Sequence, residues 1–144
     1  MALTPEVRAE VRITLESMLE AYGRGDLDEV MSYYLEDDSI VGFGTGADER
    51  NLGWQEHRAQ IQRDLAQSNQ RQVVLDWFKA DGLGEVAWAA VECSAWAQTE
   101  AGEFRGRLRG SFVLVKRGRA WKIVLSHASL PLASQAEGQS FPST

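Results

Sequence analysis

His127 is the titratable group best placed for chemistry. It falls in the run Trp121-Lys-Ile-Val-Leu-Ser-His-Ala-Ser129, where an imidazole on an apolar face beside a gap could take a proton or donate a hydrogen bond to a ligand. The plainer role for such a histidine is to be satisfied by a neighbouring backbone group or carboxylate. Asp76, in Val73-Val-Leu-Asp-Trp-Phe78, is the second candidate. On a pocket face it would be a desolvated acid with a raised pKa, whereas at the surface it would be an ordinary or paired carboxylate. Trp54 and His57 open a helical segment directly after a glycine-rich stretch, where an aromatic could gate or stack on a ligand. Tyr22 and Phe43 are read as lining, Tyr33 and Tyr34 as packing. The two histidines lie seventy residues apart among scattered carboxylates, and Cys93 is the single cysteine. No spacing of metal ligands results, so neither a metal nor a cofactor is expected. Gly44-Thr45-Gly46 lacks the lysine and Ser/Thr of a phosphate-binding loop. It reads as a turn-rich lid, with Asp48-Glu49-Arg50 solvated at its tip.

These residues need elements to hold them. Thr4 as N-cap, Pro5 and Glu6 open a helix whose stripe is Val7, Val11, Leu15, Met18 and Tyr22, closed by Gly23-Arg24-Gly25. Asp26-Leu-Asp-Glu29 reads as a capping box for a second helix to about Tyr34. Ser39 to Phe43 is a short β-type run, and residues 44–53 form a long loop. A third helix follows from Trp54 to about Gln67, with Trp54, Arg58, Ile61 and Leu65 on one stripe. Turn signals at Asp81-Gly-Leu-Gly84, Thr99-Glu-Ala-Gly102 and Arg117-Gly-Arg-Ala120 then divide four antiparallel strands. From Ser129 onward periodicity is lost. One domain over residues 1–131 and a flexible tail over 132–144 are expected.

Alternation assigns faces once a register is chosen. A two-residue turn at Glu100-Ala101 pairs Trp96 with Arg105, Ser94 with Arg107 and Glu92 with Arg109. On the opposite face it pairs Ala97 with Phe104, Ala95 with Gly106 and Cys93 with Leu108. A turn at Gly118-Arg119 places Leu114 opposite Ile123, Phe112 opposite Leu125, Gly110 opposite His127 and Leu108 opposite Ser129. Gly106, Leu108, Gly110 and Phe112 then form a pocket floor with His127 across the gap. Asp76 joins that face if the preceding turn is Gly82-Leu83, while a slip of one residue sends it outside and Trp77 in. The outer face carries Trp88, Glu92, Ser94, Trp96, Arg105, Arg107, Arg109, Val113 and Val124. Tryptophan with arginine is an interface composition, so a homodimer packed sheet on sheet through Trp88, Trp96, Arg105, Arg107 and Arg109 is expected.

The net charge of −6 and a pI of about 4.9 repel phosphate backbones and anionic membrane surfaces. Nucleic acid and membrane are therefore not expected partners. The N-terminal residues lack a basic region followed by an apolar run, and no stretch approaches the ~18 apolar residues of a span. With one cysteine, a reducing cytoplasm fits.

The order helix, helix, short strand, helix, four antiparallel strands resembles the nuclear transport factor 2 superfamily, and more closely its SnoaL-like branch. Tyr22-Gly-Arg-Gly-Asp-Leu-Asp-Glu-Val-Met31 is similar to that family's first-to-second helix corner, and Glu36-Asp-Asp-Ser-Ile40 to its entry into the first strand. Gly44-Thr-Gly-Ala-Asp-Glu-Arg50 with Gly53 is similar to a loop of one SnoaL-like group, and Trp121 to Ser129 to the closing strand. The resemblance covers about Thr4 to Pro131. It implies an α+β cone: three N-terminal helices packed on a curved, mostly antiparallel sheet that encloses an apolar pocket. It also implies a site for a small apolar molecule, with cofactor-independent isomerase, cyclase or dehydratase chemistry as one use. A non-catalytic homodimeric assembly or ligand-sensing domain is the other, because one scaffold serves many functions. In the superfamily's ketosteroid isomerases the general base is an aspartate on the first strand and an oxyanion donor is a tyrosine on the first helix. Phe43 and Met18 match those positions here, so that mechanism is not expected.

Overall fold

The computed structural model describes residues 2–143; Met1 and Thr144, the outer ends of the domain and tail read from the sequence, lie outside the described residues. Helix α1 runs Pro5–Arg24, its Thr4 hydroxyl accepting from the Val7 N–H at 3.2 Å and Gly25 closing it at φ 76°. The left-handed cap is a conformation that glycine adopts without strain. Helix α2, Leu27–Ser32, starts where the Asp26 carboxylate accepts from the Glu29 N–H at 3.0 Å. Only half of the expected capping box forms, since Glu29 turns to Arg24 instead.

The strands are β1 Val41–Phe43, β2 Arg50–Leu52, β3 Gln70–Leu83, β4 Val86–Thr99, β5 Gly102–Arg117 and β6 Ala120–Ser129, with helix α3 Trp54–Ala66 between β2 and β3. They form one sheet in the order β2-β1-β6-β5-β4-β3, antiparallel except where β1 runs parallel to β6. The stretch expected to be one long loop thus contains β2, which folds back on β1 as a hairpin.

The β4–β5 register is the one that alternation predicts, from Ala97 opposite Phe104 to Glu92 opposite Arg109. The other two long hairpins differ. The β3–β4 turn lies at Gly84-Glu85, where Gly84 takes φ 60°, and Gly82 stays inside the strand. A side chain at Gly82 would come within 2.5 Å of the Val86 carbonyl and 2.7 Å of Leu3. That glycine serves close approach rather than a turn. Asp76 is an unpaired extra residue between Leu75 and Trp77. Val124 is likewise extra, since Leu114 faces Ile123 while Val113 faces Leu125. Each bulge moves everything beyond it by one residue.

The core lies between α1 and the inner sheet face. Val11 and Leu15 of the helix, Val30 and Met31 of α2, and Ala87, Leu114 and Ile123 of the sheet are at most 1% exposed. Among the described residues beyond Ser129 no strand or helix forms, and turn bonds such as Gln135 N–H to the Leu132 carbonyl, 3.1 Å, join neighbouring residues.

Candidate functional site

Helix α3 does not close fully on the sheet, and a cavity of about 840 Å³ remains between them. Met18, Ile61, Val73, Ala95, Leu108 and Phe112 form its apolar walls. Among the α3 residues in its lining, His57, Ile61 and Asp64 are spaced i, i+4 and i+7 on one face, with Gln60 beside them. The expected stripe of Trp54, Arg58, Ile61 and Leu65 is rotated from this. Trp54 leaves the cavity wall: its indole N–H donates to the Met31 carbonyl at 3.3 Å, and Arg58 lies over its ring.

His57 is 6% exposed and its ring centroid is 4.3 Å from that of Tyr34. Neither Nδ1 nor Nε2 has a hydrogen-bond partner in the protein. Burial pushes the imidazole pKa down to about 4, so the ring is neutral at pH 7. A neutral ring carries one donor and one acceptor, and each left unmade costs about 1–3 kcal/mol. Gly42 of β1 is what lets the ring come so close, because a Cβ there would sit 2.7 Å from Nδ1 and 3.2 Å from the Ser126 hydroxyl. Asn51, Ser126 and Tyr34, all buried, complete this end of the cavity. Burial raises the Tyr34 phenol to about 12, against the pull of the adjacent Ser126 hydroxyl.

A second polar group stands further along α3. The Tyr22 hydroxyl donates to Asp64 Oδ2 at 3.1 Å and Gln60 Nε2 to Asp64 Oδ1 at 2.9 Å. Desolvation raises both the Asp64 carboxyl and the Tyr22 phenol. Gln60 also donates to Glu49 at 3.1 Å, and Glu49 accepts from Arg63 and from the Gly46 N–H. The acidic tip of the β1–β2 loop is therefore tied to α3 rather than solvated, with Asp48 held by Arg63 at 2.8 Å.

Several residues fall elsewhere than alternation places them. The bulge at Val124 puts Ser126 opposite Phe112 and His127 opposite Ser111. His127 is exposed and meets the cavity only at its rim, its ring 5.2 Å from that of Phe43, itself 40% exposed. Asp76 is on the outer face with Trp77, its carboxylate accepting from the Ser94 hydroxyl. Leu108 and Phe112 do line the floor, but the gaps over the glycines are filled. A Cβ at Gly110 would meet Val91 at 2.9 Å and Phe112 at 3.2 Å, and one at Gly106 would meet Phe104 at 2.8 Å. Tyr22 lines the cavity and Trp96, expected outside, is half-buried at its end. Asn51, Gln60, Asp64 and Ser126 are not singled out by the sequence, and Tyr34, expected to pack, is in the lining. A helical stripe drawn through His57 instead of Trp54 would have found Asp64. Among the described residues no three His, Cys, Asp or Glu side chains are placed to hold a metal ion, and no helix is long and apolar enough to cross a membrane.

The chain was compared with known proteins and structures. No curated protein matches it. The SnoaL-like domain model matches residues 11–133. Among solved structures, a nuclear transport factor 2-like superfamily protein from Salmonella enterica serovar Typhimurium superposes with a TM-score of 0.84 at 17% identity, over 96% of this chain and 100% of that one. A proposed dehydratase of the same superfamily from Streptomyces avermitilis gives 0.82 at 18% identity, over 90% and 100%. A proposed aromatic ring hydroxylase from Novosphingobium aromaticivorans gives 0.82 at 16%, over 91% and 93%. At such identities these structures establish a shared fold. The chain belongs to the SnoaL-like domain family and shares its fold with nuclear transport factor 2-like structures.

Proposed function

We propose that the protein binds a small, largely apolar molecule in this cavity and uses it as the substrate of metal-free acid/base chemistry, as an isomerase, cyclase or dehydratase would. The observation that carries the reading is His57, a buried, neutral imidazole in the lining of an apolar cavity, whose two nitrogens have no protein partner and are covered as the ring stands, so that the ring turns to offer one to a ligand. A neutral imidazole can accept a proton at one nitrogen and donate at the other. Ser126, Tyr34 and Asn51 supply further hydrogen bonds at the same end. In this proposal His57 takes the role that the sequence suggests for His127, and Asp64 the role suggested for Asp76. The dehydratase and hydroxylase assignments of structural neighbours agree with small-molecule chemistry but concern those proteins.

Calorimetric titration with 2-naphthol tests it. Saturable binding is expected, weakened about tenfold in His57→Phe through loss of one hydrogen bond to a desolvated group. His127→Phe should change affinity little. A wild-type protein that does not bind, or a His57→Phe variant that binds equally well, would overturn the proposal.

A second reading rests on the outer sheet face, where Val74, Trp77, Val86 and Trp88 are between 41% and 47% exposed beside Arg105, Arg107 and Arg109. We propose that this face pairs with a second copy of the chain, as exposed aromatics next to arginines favour. A monomer in sedimentation at micromolar protein would exclude it. A cytoplasmic location belongs to the same proposal, supported by Cys93 as a single buried thiol.

A further inference from the structure

His57 and Asp64 lie on one face of α3, two turns apart, which separates them by roughly 10 Å along the helix axis. Ile61 stands between them, facing the apolar wall of Leu108 and Phe112. The cavity therefore has two polar poles with an apolar middle. At one pole the His57 nitrogens have no partner and are covered as the ring stands, Nδ1 against Gly42, so that the ring turns to offer one to a ligand. At the other, each Asp64 oxygen accepts one hydrogen bond, from Gln60 or Tyr22, and retains a further lone pair.

We propose that the preferred ligand is an elongated, flat apolar molecule bearing a hydroxyl at each end, one hydroxyl bonded to His57 and the other to Asp64. The proposal rests on the reading of the cavity as a binding site and adds the length and polarity of its occupant. A hydroxyl fits both poles. It can donate to the acceptor nitrogen of a neutral imidazole, and it can donate to a carboxylate that already receives from Tyr22 and Gln60. A molecule with one polar end leaves one pole dry and unpartnered, and a carboxylate-ended molecule would face Asp64 and Glu49 with like charge.

The test compares 4,4′-biphenol with 4-phenylphenol, which share a rod-shaped apolar body and differ by one terminal hydroxyl. Binding of each to the wild-type protein, His57→Phe and Asp64→Leu is measured by calorimetry, with thermal melting to confirm folding. The diol is expected to bind wild type about tenfold tighter than the mono-ol, as one added hydrogen bond to a desolvated group implies. In either variant that advantage should vanish, because only one pole remains. If Asp64→Leu does not fold, Asp64→Asn keeps the shape of the side chain but replaces one acceptor oxygen by a donor and removes the charge, and should shrink the advantage. Equal affinity of the two probes for wild type, or an advantage kept in either variant, overturns the two-pole proposal while leaving the cavity a binding site. Failure of both probes to bind overturns the proposal together with the reading beneath it.

Discussion

Both faces of the sheet carry large apolar side chains, yet they handle polar groups in opposite ways. On the inner face Val91, Cys93 and Leu114 are at most 4% exposed beneath the helices, while on the outer face Trp77 and Trp88 are 47% and 41% exposed. Outer polar groups find each other across strands: Ser94 with Asp76, and Glu92 with Arg107 at 3.8 Å. Such surface pairs contribute little, since water could satisfy the same groups. Inside, in a cavity walled by Met18, Ile61 and Phe112, His57 has no protein partner. A buried polar group left unmet calls for an explanation, and a bound ligand would supply one. The contrast supports the proposed binding site on the inner face and the proposed pairing through the outer one.

The contrast can be broken at several points. Leu114→Ala, at a fully buried inner position, should lower stability by about 2–5 kcal/mol in urea denaturation. A loss under 1 kcal/mol would mean that the inner face is less closed than described.

The next largest effect is pH-dependent. Because the His57 pKa is depressed to about 4 in the folded protein, against 6.5 for a free imidazole, the unfolded chain binds the proton first. Stability from this group is present above pH 6.5 and is lost as pH falls toward 4, by up to about 3 kcal/mol. His57→Phe should flatten that part of the curve in denaturation experiments at pH 7 and pH 4.5. An unchanged slope would place the imidazole in a wetter environment.

Gly42→Ala drives a methyl against His57 and Ser126. It should destabilise by about 1–3 kcal/mol and weaken 2-naphthol binding, as overpacking does. Full affinity in the variant would show that the ring can move away. Smallest in monomer stability is Trp88→Glu on the outer face, expected within about 0.5 kcal/mol. The same variant should shift sedimentation from dimer to monomer, and an unaltered dimer would move the interface elsewhere.

Much of the scaffold is legible in the sequence because its signals are local or repeat with a fixed period. Thr4, Gly25 and Asp26 mark helix ends through their own side chains or backbone, and the polar–apolar alternation of β4 and β5 admits one good register. The site is harder to read because it depends on single-residue insertions. Nothing in Lys122-Ile-Val-Leu-Ser126 announces that Val124 will bulge, and that residue decides whether Ser126 or His127 faces inward. Asp76 is displaced in the same way. Gly82 misleads for another reason, since a glycine that admits Leu3 looks in sequence like one that makes a turn. On α3 the large apolar Trp54 attracts the stripe, whereas the inward face belongs to His57, Ile61 and Asp64. A stripe that mixes polar with apolar residues is what a cavity wall requires and what a search for amphipathic helices passes over.

The chain has only two histidines, so their ring nitrogens can be followed separately by long-range proton–nitrogen correlation spectroscopy. The account predicts that His57 stays a neutral imidazole down to about pH 4 and that adding 2-naphthol shifts its nitrogen resonances through a new hydrogen bond. An imidazole at His57 that titrates near 6.5 and ignores the ligand, while His127 responds to it, would contradict the account.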